Sequence, residues 1–245
     1  MESRAPYDRR VPRRPDDAPA APRSTARLSR EAIVAAGVAL ADAEGLDALS
    51  MRRLATVLGV NPMSLYHHVR DKDALLDAML DAVVAGIAAD DAPLTRPSDW
   101  TARLRDLLLA ARATMLGHPW AVQVLQQRDV PTPATLRHVD RVLGLLRGGG
   151  CSVDLAHHAL HLLGSRILGF SQDLFDDKAG DADPAVRAAQ AGAWAATLPH
   201  VAELALAATH DGGLGGCDDD AEFAFALDVV LEGLERRRRA QRRTG

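Results

Sequence analysis

Apolar residues recur every three or four positions in one segment after another of this chain, and period-two alternation is scarce, so helices are predicted throughout. A first helix starts at the Ser29 cap, places Ile33, Val34, Gly37, Leu40 and Ala41 on one side, and ends near Glu44-Gly45. Ser50 caps a second helix in which Leu54, Ala55 and Leu58 share a face. Gly59 follows where a left-handed C-terminal residue is wanted, and Val60 can pack back on the helix end. Asn61 caps a third helix with Pro62 at its first position, where a missing N–H costs nothing, and Leu65 and Val69 point inward together. Asp71 caps a long fourth helix through Lys72, Leu75, Leu76, Met79, Val83 and Ile87.

The helical period resumes near Thr95. Trp100, Leu104, Leu107-Leu108 and Ala111 repeat until Gly117, where Gly117-His118-Pro119-Trp120 breaks the pattern before a short helix over 121–127. Thr132 or Thr135 starts the next helix, with Leu136, Val139, Val142-Leu143 and Leu146 inside, and Gly148-Gly149-Gly150 ends it. Ser152 caps a long helix carrying Leu155, Ala159, Leu162-Leu163, Ile167 and Phe170. Residues 176–184 and 210–217 read as loops, and 185–209 are Ala-rich and broken by Pro199. A last helix begins at Asp218 to Asp220, whose negative charge suits its dipole, and carries Phe223, Leu227, Val230-Leu231 and Leu234.

The expected fold is therefore all-α: an N-terminal three-helix helix-turn-helix domain followed by a larger helical domain. The divisions are a disordered Pro/Arg/Ala-rich arm over 1–27, the helix-turn-helix domain over 28–72, a connecting helix over 73–90, the large domain over 91–235 and a basic tail over 236–245. Composition agrees, with 4% aromatic residues in 245 and a dominance of Leu and Ala. No apolar run reaches about 18 residues without a charge, so no membrane span is expected. The N-terminus lacks the apolar core of a secretory signal. The two cysteines, Cys151 and Cys217, are far apart with no metal spacing, so a cytoplasmic chain with reduced thiols is the expectation, a regulatory disulfide being the alternative.

A net charge of −4 conceals an asymmetry. Residues 1–27 hold seven Arg against four acids and 236–245 hold six Arg and no acid, whereas 73–235 hold 11 basic and 24 acidic groups. Such a body should repel DNA, and basic ends would suit a protein that holds DNA at one end only. The arm's Arg9, Arg10, Arg13, Arg14, Arg23 and Arg27 either follow phosphates and enter a minor groove or form a solvated tail.

On the third helix the inward placement of Leu65 and Val69 leaves Met63, Ser64, Tyr66 and His67 facing out. An exposed face of this kind suits a helix in a DNA major groove, with hydroxyl and imidazole groups for base edges and apolar atoms for thymine methyls. The plainer reading is a helical hairpin with exposed aromatics. Lys72 would meet a phosphate from the side.

Over 29–87 the chain resembles the DNA-binding domain of the tetracycline repressor (TetR) family of transcriptional regulators. The residues that carry the resemblance are Ala36, Ala39-Leu40, Gly45-Leu46, Leu49 to Ala55, Leu58-Gly59-Val60, Leu65 to Val69 and Lys72 to Leu76. The resemblance implies that Ser50 and Arg52 contact the DNA backbone or groove edge. It places Asn61, Met63, Ser64, Tyr66 and His67 at the major groove, with His68 and Lys72 near phosphates. Gly-His-Pro-Trp at 117–120, the Leu-Leu-Arg-Gly-Gly-Gly-Cys-Ser join at 145–152 and the helix after it look like the C-terminal half of the tetracycline-repressor branch. That likeness implies a small-molecule pocket walled by the middle helices and a homodimer built from the last two long helices. Broad apolar faces near 153–170 and 220–235 point to the same dimer, whose two recognition helices, about 34 Å apart, would read a palindrome.

Candidate effector contacts are the aromatic residues Trp100, Trp120, Phe170, Phe175 and Trp194 and the polar residues Gln123, Gln126, Gln127, Arg166 and Gln172. Core packing explains most of the aromatic set. His157 and His161, four apart with His158 beside them, share a helical face that can hold a metal, but neither a zinc-protease Glu nor a nearby Cys accompanies them, so a pocket or interface role is expected and no metal. His118 either bonds a ligand or caps the helix break. No cofactor is implied, and no nucleophile motif, phosphate loop or catalytic carboxylate pair appears, so no enzyme is expected. The sequence thus points to a repressor released from a palindromic operator by a small effector. The alternatives are a regulator responding to metal through His157 and His161 or to thiol chemistry through Cys151, and an effector-independent DNA-binding protein.

Overall fold

The computed structural model describes residues 28–88, 92, 94–168, 192–207 and 219–244; the side chains of 165–168, 204–207, 219, 242 and 244 are outside that description. The arm over 1–27, Phe170, Gln172, Phe175, Cys217 and the loops over 176–184 and 210–217 lie outside the described residues.

Among the described residues the secondary structure is helical, without strands. The head comprises α1 (Arg30–Glu44), α2 (Met51–Leu58), α3 (Pro62–Tyr66) and the start of α4 (Lys72–Ala85). The body follows as α5 (Trp100–Gly117), α6 (Pro119–Gln126), α7 (Pro133–Gly148), α8 (Val153–Leu168), α9 (Pro199–Ala207) and α10 (Asp219–Thr244).

Each head helix starts where a side chain satisfies an otherwise orphaned backbone N–H. Ser29 Oγ accepts from Ala32 N, Ser50 Oγ from Arg53 N, Asn61 Oδ1 from Met63 N and Asp71 Oδ1 from Ala74 N. Gly59 takes φ +66°, and Val60 N donates back to Ala55 O at 3.0 Å, which turns α2 sharply into α3. Ile33, Leu54, Leu65, Leu75 and Met79 are fully buried where α1, α2, α3 and α4 meet.

The apolar core is continuous from Ile33 in the head to Leu234 in α10. Helix α4 carries it across, because Leu75 and Met79 lie against Gly37 of α1 in the head while Val84 lines the interior of the body. In the body α7 packs on α4, α5 and α8, and α10 packs on α5 and α8. Arg105 holds Asp228 through two hydrogen bonds of 2.7 and 3.3 Å, and Arg112 pairs with Asp220, so α10 runs antiparallel to α5.

Three boundaries differ from the sequence expectation. Helix α4 stops at Ala85, and Ile87 is buried beyond its end. Helix α6 starts at Pro119, two residues earlier than expected, because a proline after a break serves equally well as the first residue of a new helix. The third concerns the basic tail: α10 continues through it to Thr244. Glu235 bonds Arg238 Nε at 2.6 Å and Arg239 Nε at 2.7 Å, pairs three and four residues apart that extend the helix, and terminal arginines suit its dipole.

Candidate nucleic-acid interface and ligand cavity

On α3, buried Leu65 and, just beyond, buried Val69 anchor the recognition segment, which leaves Met63 67% and Tyr66 45% exposed. His67 and His68 are also exposed, Ser64 is half-buried, and Lys72 is exposed in the first turn of α4. Two of the expected contact residues also do structural work. Ser50 Oγ and Asn61 Oδ1 each accept a cap bond, which leaves their donor hydrogens and one acceptor lone pair apiece for DNA. Arg53 is tied to Glu44 at 2.6 Å, and Arg52, the residue before it, is exposed. The short helix α3 and the residues after it thus present hydroxyl, imidazole and thioether groups, flanked by the cations of Arg52 on α2 and Lys72 on α4.

The six arginines at the end of α10 lie away from this face. The C-terminal end of α5 meets the head, where His118 faces Asp42, while Trp100 at the N-terminal end of α5 donates its indole N–H to Glu235 Oε2 at 3.3 Å. At about 1.5 Å per residue the 18 residues of α5 separate the two ends by roughly 25 Å. The terminal arginines follow Glu235, at the end of the body remote from the head. Within one chain the terminal arginines are thus set apart from the recognition helix.

Head and body are joined by acids on α1 and α4. Asp42 Oδ1 accepts from Trp120 Nε1 at 2.6 Å and lies 2.8 Å from His118 Nδ1. Asp81 Oδ1 accepts from Ala134 N at 2.6 Å at the start of α7, where Thr132 caps and Pro133 occupies the first position. Asp77 Oδ1 lies 2.6 Å from Arg128 Nε in the loop between α6 and α7. A movement of α6 or α7 therefore pulls on α1 and α4.

Between these helices lies an apolar cavity of about 290 Å³. Val84 in the last turn of α4 and Ile87 just beyond it form one wall, and Leu108, Ala111 and Met115 of α5 another. Leu125 closes it from α6, Thr135, His138, Val139 and Val142 line it from α7, and Leu160, Leu163 and Gly164 from α8. Thr135 Oγ1 is engaged with Thr132 Oγ1 at 2.9 Å. His138 Nδ1 is buried with no partner among the described residues, and burial, then the charge of Arg141, lowers the imidazole pKa.

The expected effector contacts sit elsewhere. Trp100 is buried beneath α10, and Trp120 and His118 are engaged with Asp42; His118 also lines an open cleft of about 780 Å³ between α1, α4 and α5. Gln123, Gln126 and Gln127 are exposed on and after α6, and Trp194 is half-buried outside the cavity wall. His157 and His161 are exposed on α8 with their rings 4.7 Å apart. The side chain of Arg166 is outside the described residues. Among the described residues no group of three or more His, Cys, Asp or Glu could hold a metal. Cys151 is buried, and burial pushes its thiol pKa up, away from the thiolate that a redox switch needs. His138 was missed although its position shows in the sequence: it falls three residues after Thr135 and four before Val142, on the apolar stripe of α7.

A protruding recognition helix on a small packed head, tied to a helical body that encloses an apolar cavity, defines a ligand-linked DNA-binding regulator. Residues 33–79 match the family described as "Bacterial regulatory proteins, tetR family", and residues 92–238 match "Tetracyclin repressor-like, C-terminal domain". The HTH-type transcriptional repressor DrrR1 of Streptomyces coeruleorubidus is 32% identical over 225 residues, covering 87% of this chain and 79% of that protein. The class C tetracycline repressor of Escherichia coli is 28% identical over 213 residues, 86% of this chain and 93% of that protein. The crystal structure of ActR from Streptomyces coelicolor in complex with actinorhodin superposes with a TM-score of 0.66 at 30% identity, covering 85% of this chain and 96% of that one. The chain belongs to the TetR family of transcriptional regulators and is a DNA-binding protein of that class. No helix among the described residues is long and apolar enough to cross a membrane.

Proposed function

We propose that this protein is a homodimeric repressor whose hold on a palindromic operator is released by a small molecule bound in the cavity between α4, α5, α7 and α8. The carrying observation is that Val84 in the last turn of α4 and Ile87 just beyond its end form a cavity wall, while the first residue of the same helix, Lys72, follows the recognition segment. An occupant that pushes on that wall displaces the helix on which the DNA-reading head is built. Asp42, Asp77 and Asp81 extend the coupling to α6 and α7. A ligand shifts the equilibrium only by its preference for the released arrangement, so release requires tighter binding to that state.

The dimer reading is supported by apolar surface on α8 and α10. Leu162 on α8 and Phe225 and Val229 on α10 are exposed large apolar residues, and the two helices pack side by side. A second copy applied to that face covers them and sets two recognition helices on one side of the assembly. DrrR1 is named a repressor and ActR was crystallised with a bound small molecule, which supports repression relieved by a ligand.

The test is binding of the purified protein to DNA from upstream of its own gene and to random DNA, at two salt concentrations. A specific operator retains a large preference at the higher salt; equal binding that falls away with salt on both DNAs would remove the repressor reading. The operator complex then serves as the assay for release.

A further inference from the structure

We infer that the cavity selects an uncharged, mostly apolar molecule with a single hydrogen-bonding group, anchored at His138 Nδ1. Its consequence for transcription rests on the cavity being the effector site, but the binding step does not. No Asp, Glu, Lys or Arg occurs among the described residues that line the cavity. A ligand with a fixed charge would give up its hydration with no counter-charge to meet it.

The polar inventory is as narrow. The Thr135 hydroxyl is engaged with Thr132 Oγ1 at 2.9 Å. His138 Nδ1 remains as a buried ring nitrogen without a partner among the described residues. Such an atom is costly when it stays unsatisfied, so a ligand that supplies its partner gains more than one that does not. Burial and the nearby Arg141 favour the neutral ring, which in one tautomer accepts an O–H or N–H and in the other donates to a carbonyl. A volume of about 290 Å³ restricts the occupant to a compact molecule of a few rings.

Two dyes with one scaffold test the inference on the full chain. N-phenyl-1-naphthylamine is uncharged and has a single N–H, and 8-anilinonaphthalene-1-sulfonate adds a sulfonate to it. Fluorescence titration should show saturable binding of the neutral dye at one site per chain, at least about tenfold tighter than the sulfonate. Ala111→Phe on α5 and Val139→Phe on α7 fill the cavity from different walls, and each folded variant should lose that binding. His138→Leu should weaken the neutral dye by about three- to tenfold, the worth of one hydrogen bond, and leave its N-methyl derivative unaffected. Equal or tighter binding of the sulfonate, a neutral-dye signal that survives both filling substitutions, or no saturable binding would each overturn the inference. Neutral dye bound in the cavity with unchanged operator affinity would instead overturn the effector reading and leave the binding class standing.

Discussion

The carboxylate of Asp42, near the end of α1, accepts the indole N–H of Trp120 on α6 at 2.6 Å and faces His118 Nδ1 at 2.8 Å. One acid of the DNA-binding head thereby holds the first turn of a body helix. Trp120 is buried, so its N–H has no ready substitute partner in water. We expect Asp42→Ala and Trp120→Phe each to destabilise the protein by about 1–2 kcal/mol. In a double-mutant cycle by urea denaturation the pair should couple by roughly 1 kcal/mol. Additive effects would mean that the contact carries no stabilisation between head and body.

Tyr66 and Lys72 stand on either side of the turn after α3, both exposed. Tyr66→Ala should lower affinity for the operator by about tenfold or more, in the range of one lost base contact, with no change in melting temperature. Lys72→Ala should weaken operator and random DNA alike and reduce the slope of log affinity against log salt by about one, as expected for one phosphate contact. A Tyr66 variant that weakens both DNAs equally would take that side chain out of the base-reading set.

The indole of Trp100 lies across the end of α7, where a Cβ on Gly149 would come within 2.3 Å of Trp100 Cγ and 2.8 Å of its Cβ. The backbone at Gly149 is ordinary, with φ −69° and ψ −16°, so the need for glycine is steric alone. Gly149→Ala should cost about 1–3 kcal/mol by overpacking. In a Trp100→Ala background, which removes the Cγ and Cδ1 atoms and leaves only the Cβ contact, most of that cost should disappear, and thermal denaturation of the four proteins distinguishes this from a general intolerance of the turn.

How much of this was legible in the sequence follows from which interactions are local. The caps at Ser29, Ser50, Asn61 and Asp71 and the left-handed Gly59 depend on residues within a few positions, so the head was readable to the residue. The lining of the cavity was not, because a cavity wall is made by helices distant in sequence. Aromatic residues drew attention, yet Trp100 and Trp120 had their polar atoms engaged by Glu235 and Asp42, partners 135 and 78 residues away. The cavity is lined instead by plain Leu, Val and Ala, which any core would use, and by one His on an apolar stripe. By local signals alone Pro119 marks a break and the terminal arginines a tail, and each belongs to a helix because context reverses its usual sign.

Glu235 gives a prediction with a definite pH window. Its carboxylate accepts from Arg238 Nε at 2.6 Å and Nη2 at 2.7 Å, from Arg239 Nε at 2.7 Å and from the Trp100 indole at 3.3 Å. The Arg238 hydrogen bonds, with smaller help from Arg239 and Trp100 and against the cost of burial, hold its pKa at about 2 instead of the ordinary 4.5. Because the folded value is the lower one, the unfolded chain binds this proton first as the solution is acidified. The stabilisation is complete above pH 4.5, declines as pH falls below that value, and is gone once pH passes below about 2. The full span corresponds to about 3 kcal/mol. Urea denaturation of the wild type and Glu235→Gln between pH 6 and pH 2 should show a stability gap that narrows steadily through this window, since Gln cannot titrate. A gap that stays constant with pH would mean that the carboxylate's charge contributes nothing to holding α10 against α5 and the end of α7.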